Sequence, residues 1–190
     1  MYKRQQAKLL KEWGNFYSSV FDINFDKKRL KGFLLPRPRW GYKGLMLIPE
    51  RLTLGEAFDV CTEYFPIYTQ YNNLNEQVCN NDRDCQFAYA IRFNESQEPH
   101  DKDIRLLSPV KLRRNHCLSM TLLERLIYGL KFFIDTGSHL DLKNITVCAG
   151  SRDSCGEVPF IYTYNEKIVH IKTASPYETD SNVYARQVFL

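Results

Sequence analysis

Residues 121–137 constrain this chain more than any other stretch. Thr121-Leu-Leu-Glu124 has the form of a capping box. In that motif a threonine hydroxyl accepts from the backbone N–H three residues on, and a glutamate reaches back to the threonine N–H. Leu122, Leu123, Leu126, Ile127, Leu130, Phe133 and Ile134 then recur at helical spacing, and Gly137 stands where a left-handed C-cap belongs. So wide an apolar face must be covered from several sides, so the helix is expected at the centre of the core with Leu126 and Leu130 nearly fully buried. The sequence after it is strand-like. Residues 144–149 form one candidate, 159–164 and 167–173 flank Asn165-Glu166 as a hairpin, and 182–189 close the chain as a last strand.

Two further helices precede this one. Over residues 5–19, Leu9, Leu10, Trp13, Phe16, Tyr17 and the adjoining Val20 form one apolar stripe, weakened at Gly14 by about 1 kcal/mol relative to alanine. Thr53-Leu-Gly-Glu56 is a second capping box, followed by Leu54, Ala57, Phe58, Cys61, Tyr64 and Phe65 at helical spacing, and Pro66 ends the helix. Leu45-Met-Leu-Ile48 reads as a buried strand. In 86–93, Phe87, Tyr89, Ile91 and Phe93 alternate with Ala88, Ala90 and Arg92, which predicts another strand. Residues 22–42 are irregular around Pro36 and Pro38, and 94–116 are polar and charged, a long mobile loop. A length of 190 residues suits one domain. The expected fold is therefore α+β: a single domain over 1–190, a mainly antiparallel sheet with about three helices packed on it.

No apolar run approaches the ~20 residues that span a bilayer, and the basic N-terminus is not followed by an apolar signal core. The expectation is a cytoplasmic protein without a membrane partner. The six cysteines, Cys61, Cys79, Cys85, Cys117, Cys148 and Cys155, are then expected as free thiols. Cys79 and Cys85 are separated by five residues, and Cys148 and Cys155 by six, so neither pair has structural-zinc spacing. No metal and no cofactor are expected.

The net charge of +4 conceals an asymmetry. Residues 1–51 hold 12 Lys and Arg against 4 Asp and Glu, whereas the remainder holds 14 against 18. Within the positive third, Lys27, Lys28, Arg29, Arg37, Arg39 and Lys43 are interleaved with Phe33, Trp40 and Tyr42. Basic side chains neutralise phosphates and aromatic rings stack on unpaired bases, so this stretch is a candidate surface for nucleic acid or an acidic protein. The plain alternative is a solvated basic face around a partly buried Trp40.

A second constellation is the turn Cys148-Ala-Gly-Ser-Arg-Asp-Ser-Cys-Gly156. It offers nucleophile candidates in Cys148, Ser151 and Cys155, with His139 and Asp141 upstream as a possible base and its partner. Such a site would make the chain a small hydrolase or transferase. No helix pattern follows the turn, and the motif is not a Gly-x-Ser-x-Gly elbow. The plain alternatives are a polar turn in which Arg152 pairs with Asp153, and a His139 that caps the helix C-terminus as a cation. In Asn81-Asp82-Arg83-Asp84 two carboxylates flank an arginine, and the default there is a local ion pair or an Asx turn. A third function class is an accessory subunit that acts only by protein contact.

Several of these stretches also carry a likeness. Thr121-Leu-Leu-Glu124, Phe132-Phe133, Thr136-Gly-Ser-His139-Leu-Asp141, Thr146-Val-Cys148-Ala-Gly150-Ser-Arg152 and Val158-Pro159 resemble a family of small bacterial proteins to which no activity is assigned. Asn81-Asp-Arg-Asp84 and Tyr89-Ala-Ile-Arg92 share in the resemblance, which extends from about Trp13 to Val188. It implies one bacterial, cytosolic unit and contributes no catalytic residue.

Overall fold

The computed structural model describes residues 2–24, 35–99, 104 and 107–190, with side chains from Ala7 onward. The long apolar helix forms as its sequence requires. Helix α5 (Leu122–Thr136) begins at Thr121, whose side chain accepts from the Glu124 N–H while Glu124 reaches back, and ends at Gly137 with φ +71°. Leu126 and Leu130 are 2% and 0% exposed. Upstream lie α1 (Tyr2–Val20), α2 (Leu54–Tyr64), the single-turn α3 (Leu74–Gln77) and the short α4 (Pro109–Arg114). The second capping box is present at Thr53 and Glu56.

Among the described residues three sheets accompany the helices. One orders β1 (Gly44–Ile48), β4 (Tyr89–Phe93) and β10 (Val188–Phe189) side by side. The second runs β2 (Ile67–Thr69), β8 (Ile168–Ala174), β7 (Val158–Tyr164), β5 (Ile145–Val147) and β9 (Val183–Ala185). The third pairs β3 (Asn80–Asn81) with β6 (Ser151–Arg152). Among the described residues five of the seven pairings are antiparallel, and β2–β8 and β5–β9 are parallel. The fold is α+β, with the expected hairpin turning at Asn165 and Glu166, both at positive φ.

The central core gathers α1, β1, α2, β4 and α5 around Tyr17, Met46, Ile91, Leu126 and Ile127. Strand β1 lies at the edge of its sheet, and every residue of it is buried. Its outward carbonyls are met from the helix: Trp13 Nε1 donates to Leu45 O (2.6 Å) and Tyr17 Oη to Leu47 O (2.7 Å). A strand edge without such partners would leave buried carbonyls unsatisfied. A second, smaller core holds Ile104, Leu112, Val147, Ala149, Val158 and Ala185.

Several expectations need correction. The last strand is two strands in different sheets, because the chain crosses over at Arg186 and Gln187. There Met120 N donates to Arg186 O and Val188 N to Leu118 O. Strand β4 starts at Tyr89, three residues later than expected, and Phe87 is 78% exposed. Both of its faces are buried, Ala90 and Arg92 on one and Ile91 and Phe93 on the other. The expected loop 94–116 carries α4, capped by Ser108, while 100–103, 105 and 106 lie outside the described residues. All six cysteines are free. Among the described residues no helix is long and apolar enough to cross a membrane.

Candidate functional site

The residues of the 148–156 turn are brought together, but Cys148 and Ser151 are enclosed by the fold. Cys148 is fully buried, and desolvation pushes its thiol up to about 12, so it does not supply a thiolate at neutral pH. Ser151 is also fully buried. Its hydroxyl donates to Asn81 Oδ1 (2.5 Å) and accepts from Leu122 N (2.9 Å), which satisfies a free amide of the first turn of α5. Gly150 is needed for contact rather than for an anion. A Cβ there would lie 2.5 Å from Ser119 O, and Gly150 N donates to Met120 O (3.1 Å). Cys155 is exposed, in a turn held by the Asp153 carboxylate, which accepts from Cys155 N (2.9 Å) and Glu157 N (2.8 Å). Arg152 does not pair with Asp153; its guanidinium donates to Ala149 O and Ser151 O.

His139 and Asp141 are likewise structural. The His139 imidazole sits against Phe65 and Phe133, with ring centroids 4.8 and 4.7 Å away. Burial, helped by the nearby Arg125, lowers its pKa, which is the reverse of what a cationic helix cap requires. Asp141, 1% exposed, accepts from Arg125 Nε (2.9 Å) and Nη2 (2.7 Å) through Oδ2 and from Arg186 Nη2 (2.6 Å) through Oδ1. Burial alone would raise its pKa; the two guanidiniums outweigh that and hold the carboxyl below its ordinary value. A neighbouring cluster works in the same way. Glu124, 0% exposed, takes both Nε (2.6 Å) and Nη2 (2.8 Å) of Arg83, together with the Tyr89 hydroxyl (2.9 Å) and the Thr121 N–H (2.8 Å). Arg83 thus leaves the two aspartates beside it. Asp82 faces Arg113 at 3.7 Å, and Asp84 accepts from Gln86 N as an Asx turn does.

The basic stretch differs in kind. Lys27, Lys28 and Arg29 lie outside the described residues. Arg37, Arg39, Trp40 and Lys43 are described, and all are exposed. Residues 39–42 form a tight turn: Tyr42 N donates to Arg39 O (3.1 Å), and Gly41 takes φ +81°, a value open to glycine without strain. The turn is anchored from below. Tyr42 Oη donates to Gln187 Oε1 (2.8 Å), its ring meets Phe189 edge to face at 4.7 Å, and the Arg39 guanidinium lies over the Phe189 ring at 4.0 Å. Trp40, at the tip, is 97% exposed. Arg37, Arg39 and Lys43 make no ion pair among the described residues. Beside the turn, Leu35, Pro36, Arg37, Pro38, Arg39 and the C-terminal Phe189 and Leu190 line an open cleft of about 600 Å³.

A second surface, an aromatic row on the five-stranded sheet, lies outside the residues singled out from the sequence. Its signal was present, in that Phe160, Tyr162 and Tyr164 alternate along one strand of the hairpin. Which face stays open was not readable, because that depends on what the rest of the chain covers.

Comparison with known proteins adds no assignment: no family model, no curated protein and no solved structure matches the chain.

Proposed function

We propose that this protein is a binding module that holds single-stranded nucleic acid through the turn at Arg37, Arg39, Trp40 and Lys43. The observation that carries the reading is the 97% exposure of Trp40 between basic side chains that have no acidic partner among the described residues. A tryptophan burying almost nothing keeps its indole face open to a ligand. Cationic groups close in sequence supply the phosphate contacts, and the indole supplies a face for an unpaired base. Anchoring on Phe189 and Gln187 fixes the turn in advance, which lowers the ordering cost of binding. In this reading the protein is bacterial and cytoplasmic and needs no cofactor. The acidic-protein partner shares the charge argument but leaves Trp40 without a role.

The test is a salt titration of a labelled single-stranded oligonucleotide by fluorescence anisotropy. Log affinity should fall linearly with log salt, at about −0.7 per phosphate neutralised. Arg37→Ala with Arg39→Ala should flatten the slope by one to two such units. Trp40→Ala should weaken single strands more than duplex, since only unpaired bases offer a free face. A wild-type protein that binds neither form at low salt overturns the reading.

A further inference from the structure

The outer face of the five-stranded sheet is divided in two. Toward β9 it is closed by the second core, in which Ile104 and Leu112 cover Val147, Val158 and Ala185. Toward β2 it stays open and bears aromatic rings. Tyr68, His170 and Tyr162 are direct cross-strand neighbours on β2, β8 and β7. Tyr68 and His170 stack with centroids 5.5 Å apart at 24°, and His170 and Tyr162 at 5.2 Å and 11°. Phe160 continues the row from Tyr162 at 6.2 Å and 19°, and Tyr164 meets His170 edge on. Lys172 lies over the Tyr162 ring at 5.9 Å.

Three features bear on what such a row is for. Its plates are nearly parallel at the spacing the strands impose, so the stack is pre-formed. It ends at Tyr68, 62% exposed on the edge strand β2, and among the described residues no further ring continues the stack beyond it. The strand positions on this face carry Lys172 and no carboxylate: β7 presents Val158, Phe160, Tyr162 and Tyr164, and β8 Ile168, His170, Lys172 and Ala174. A flat ring attached to a polyanion matches all three.

We infer that the open half of this sheet is a base-stacking platform, on which the bases of a single-stranded nucleic acid extend the Tyr68–His170–Tyr162 stack while Lys172 faces the phosphates. The inference rests on the proposed nucleic-acid reading and adds to it a second contact surface, remote in sequence from Trp40. Stacking tolerates any base, because every base has a π face, so little sequence preference is expected.

The experiment compares a twelve-residue oligothymidylate with an abasic oligomer of equal phosphate count, using the full chain and anisotropy. Wild-type protein should prefer the base-bearing strand by at least about fivefold, the lower end of what one stacked base contributes. In a Trp40→Ala background, which removes the indole's own stacked base, Tyr68→Ala should lose most of the remaining preference and Tyr68→Phe should keep it, with circular dichroism showing both folded. His170→Ala, which breaks the middle of the stack, should fall between them. In the Trp40→Ala background, equal affinity for the two oligomers overturns the platform, while salt-dependent binding that Arg37→Ala with Arg39→Ala weakens leaves the basic turn standing. No binding of either oligomer removes both readings. A preference that survives Tyr68→Ala and His170→Ala overturns the platform and places the stacked base elsewhere. Binding of neutral oligosaccharides in preference to either oligomer, or a dimer that Tyr68→Ala dissociates, assigns the face to another occupant and overturns it as well.

Discussion

Two groups of arginines in this molecule are treated in opposite ways. Arg83, Arg125 and Arg186 are buried or nearly so, and each meets a carboxylate within 2.9 Å. Arg37 and Arg39 stand in solvent and meet none among the described residues. The difference teaches how to read charge here. Each of these three enclosed guanidiniums has its counter-charge enclosed with it, so its partner lies inside the fold. One left in water is under no such obligation, and its partner can come from elsewhere.

The sharpest way to break this contrast is at Asp141, the single carboxylate between Arg125 and Arg186. Asp141→Asn keeps the shape and suits the left-handed backbone (φ +58°), since asparagine tolerates that region, and removes only the charge. With two buried guanidiniums left uncompensated, the loss should be about 3–5 kcal/mol in urea-unfolding stability. The pH dependence carries a sign. The folded pKa of Asp141 lies below its unfolded value, so its contribution is complete above the ordinary carboxyl value near 3.9 and is lost as pH falls below that toward the folded pKa. The gap between wild type and Asp141→Asn should therefore narrow in acid. A gap that stays constant down to the acid transition would mean that the ion pairs do not stabilise the fold.

Ser151→Ala probes the same interior with a neutral group. It leaves Leu122 N and Asn81 Oδ1 without their shared partner, and should cost about 1–3 kcal/mol by denaturant midpoint. An unchanged midpoint would return Ser151 to the pool of groups free for other work. The smallest effect belongs to the exposed group. Arg37→Ala with Arg39→Ala should leave the thermal midpoint equivalent to a change within about 0.5 kcal/mol. A larger loss would show that the turn is structural and erase the distinction from which the binding proposal starts.

Much of the framework was legible in the chain. Both capping boxes, the Gly137 cap and the hairpin at Asn165-Glu166 are local patterns, set by residues within a few positions of one another. The roles of Ser151, Asp141 and His139 were not legible, because each depends on partners 15 or more residues away in sequence or on burial by other elements. A serine in a small-residue turn looks like a nucleophile until Leu122 N is found against it. The short strands β2, β3 and β6 were missed because two or three residues carry no period. Trp40 misled in the other direction: its type argued for partial burial, and only the packing shows that it has none.

The two hydrogen bonds from Trp13 and Tyr17 to the rim of β1 have a consequence for the life of the chain in solution. Gly-Leu-Met-Leu-Ile is short, uncharged, free of proline and apolar at every side chain, the composition that seeds intermolecular cross-β stacking when an edge is left bare. Helix α1 occupies that edge with side chains rather than with another strand, so it shields the segment without itself offering a template to pair with. Any process that lifts α1 away, whether proteolysis or fraying, would turn this buried strand into an adhesive one.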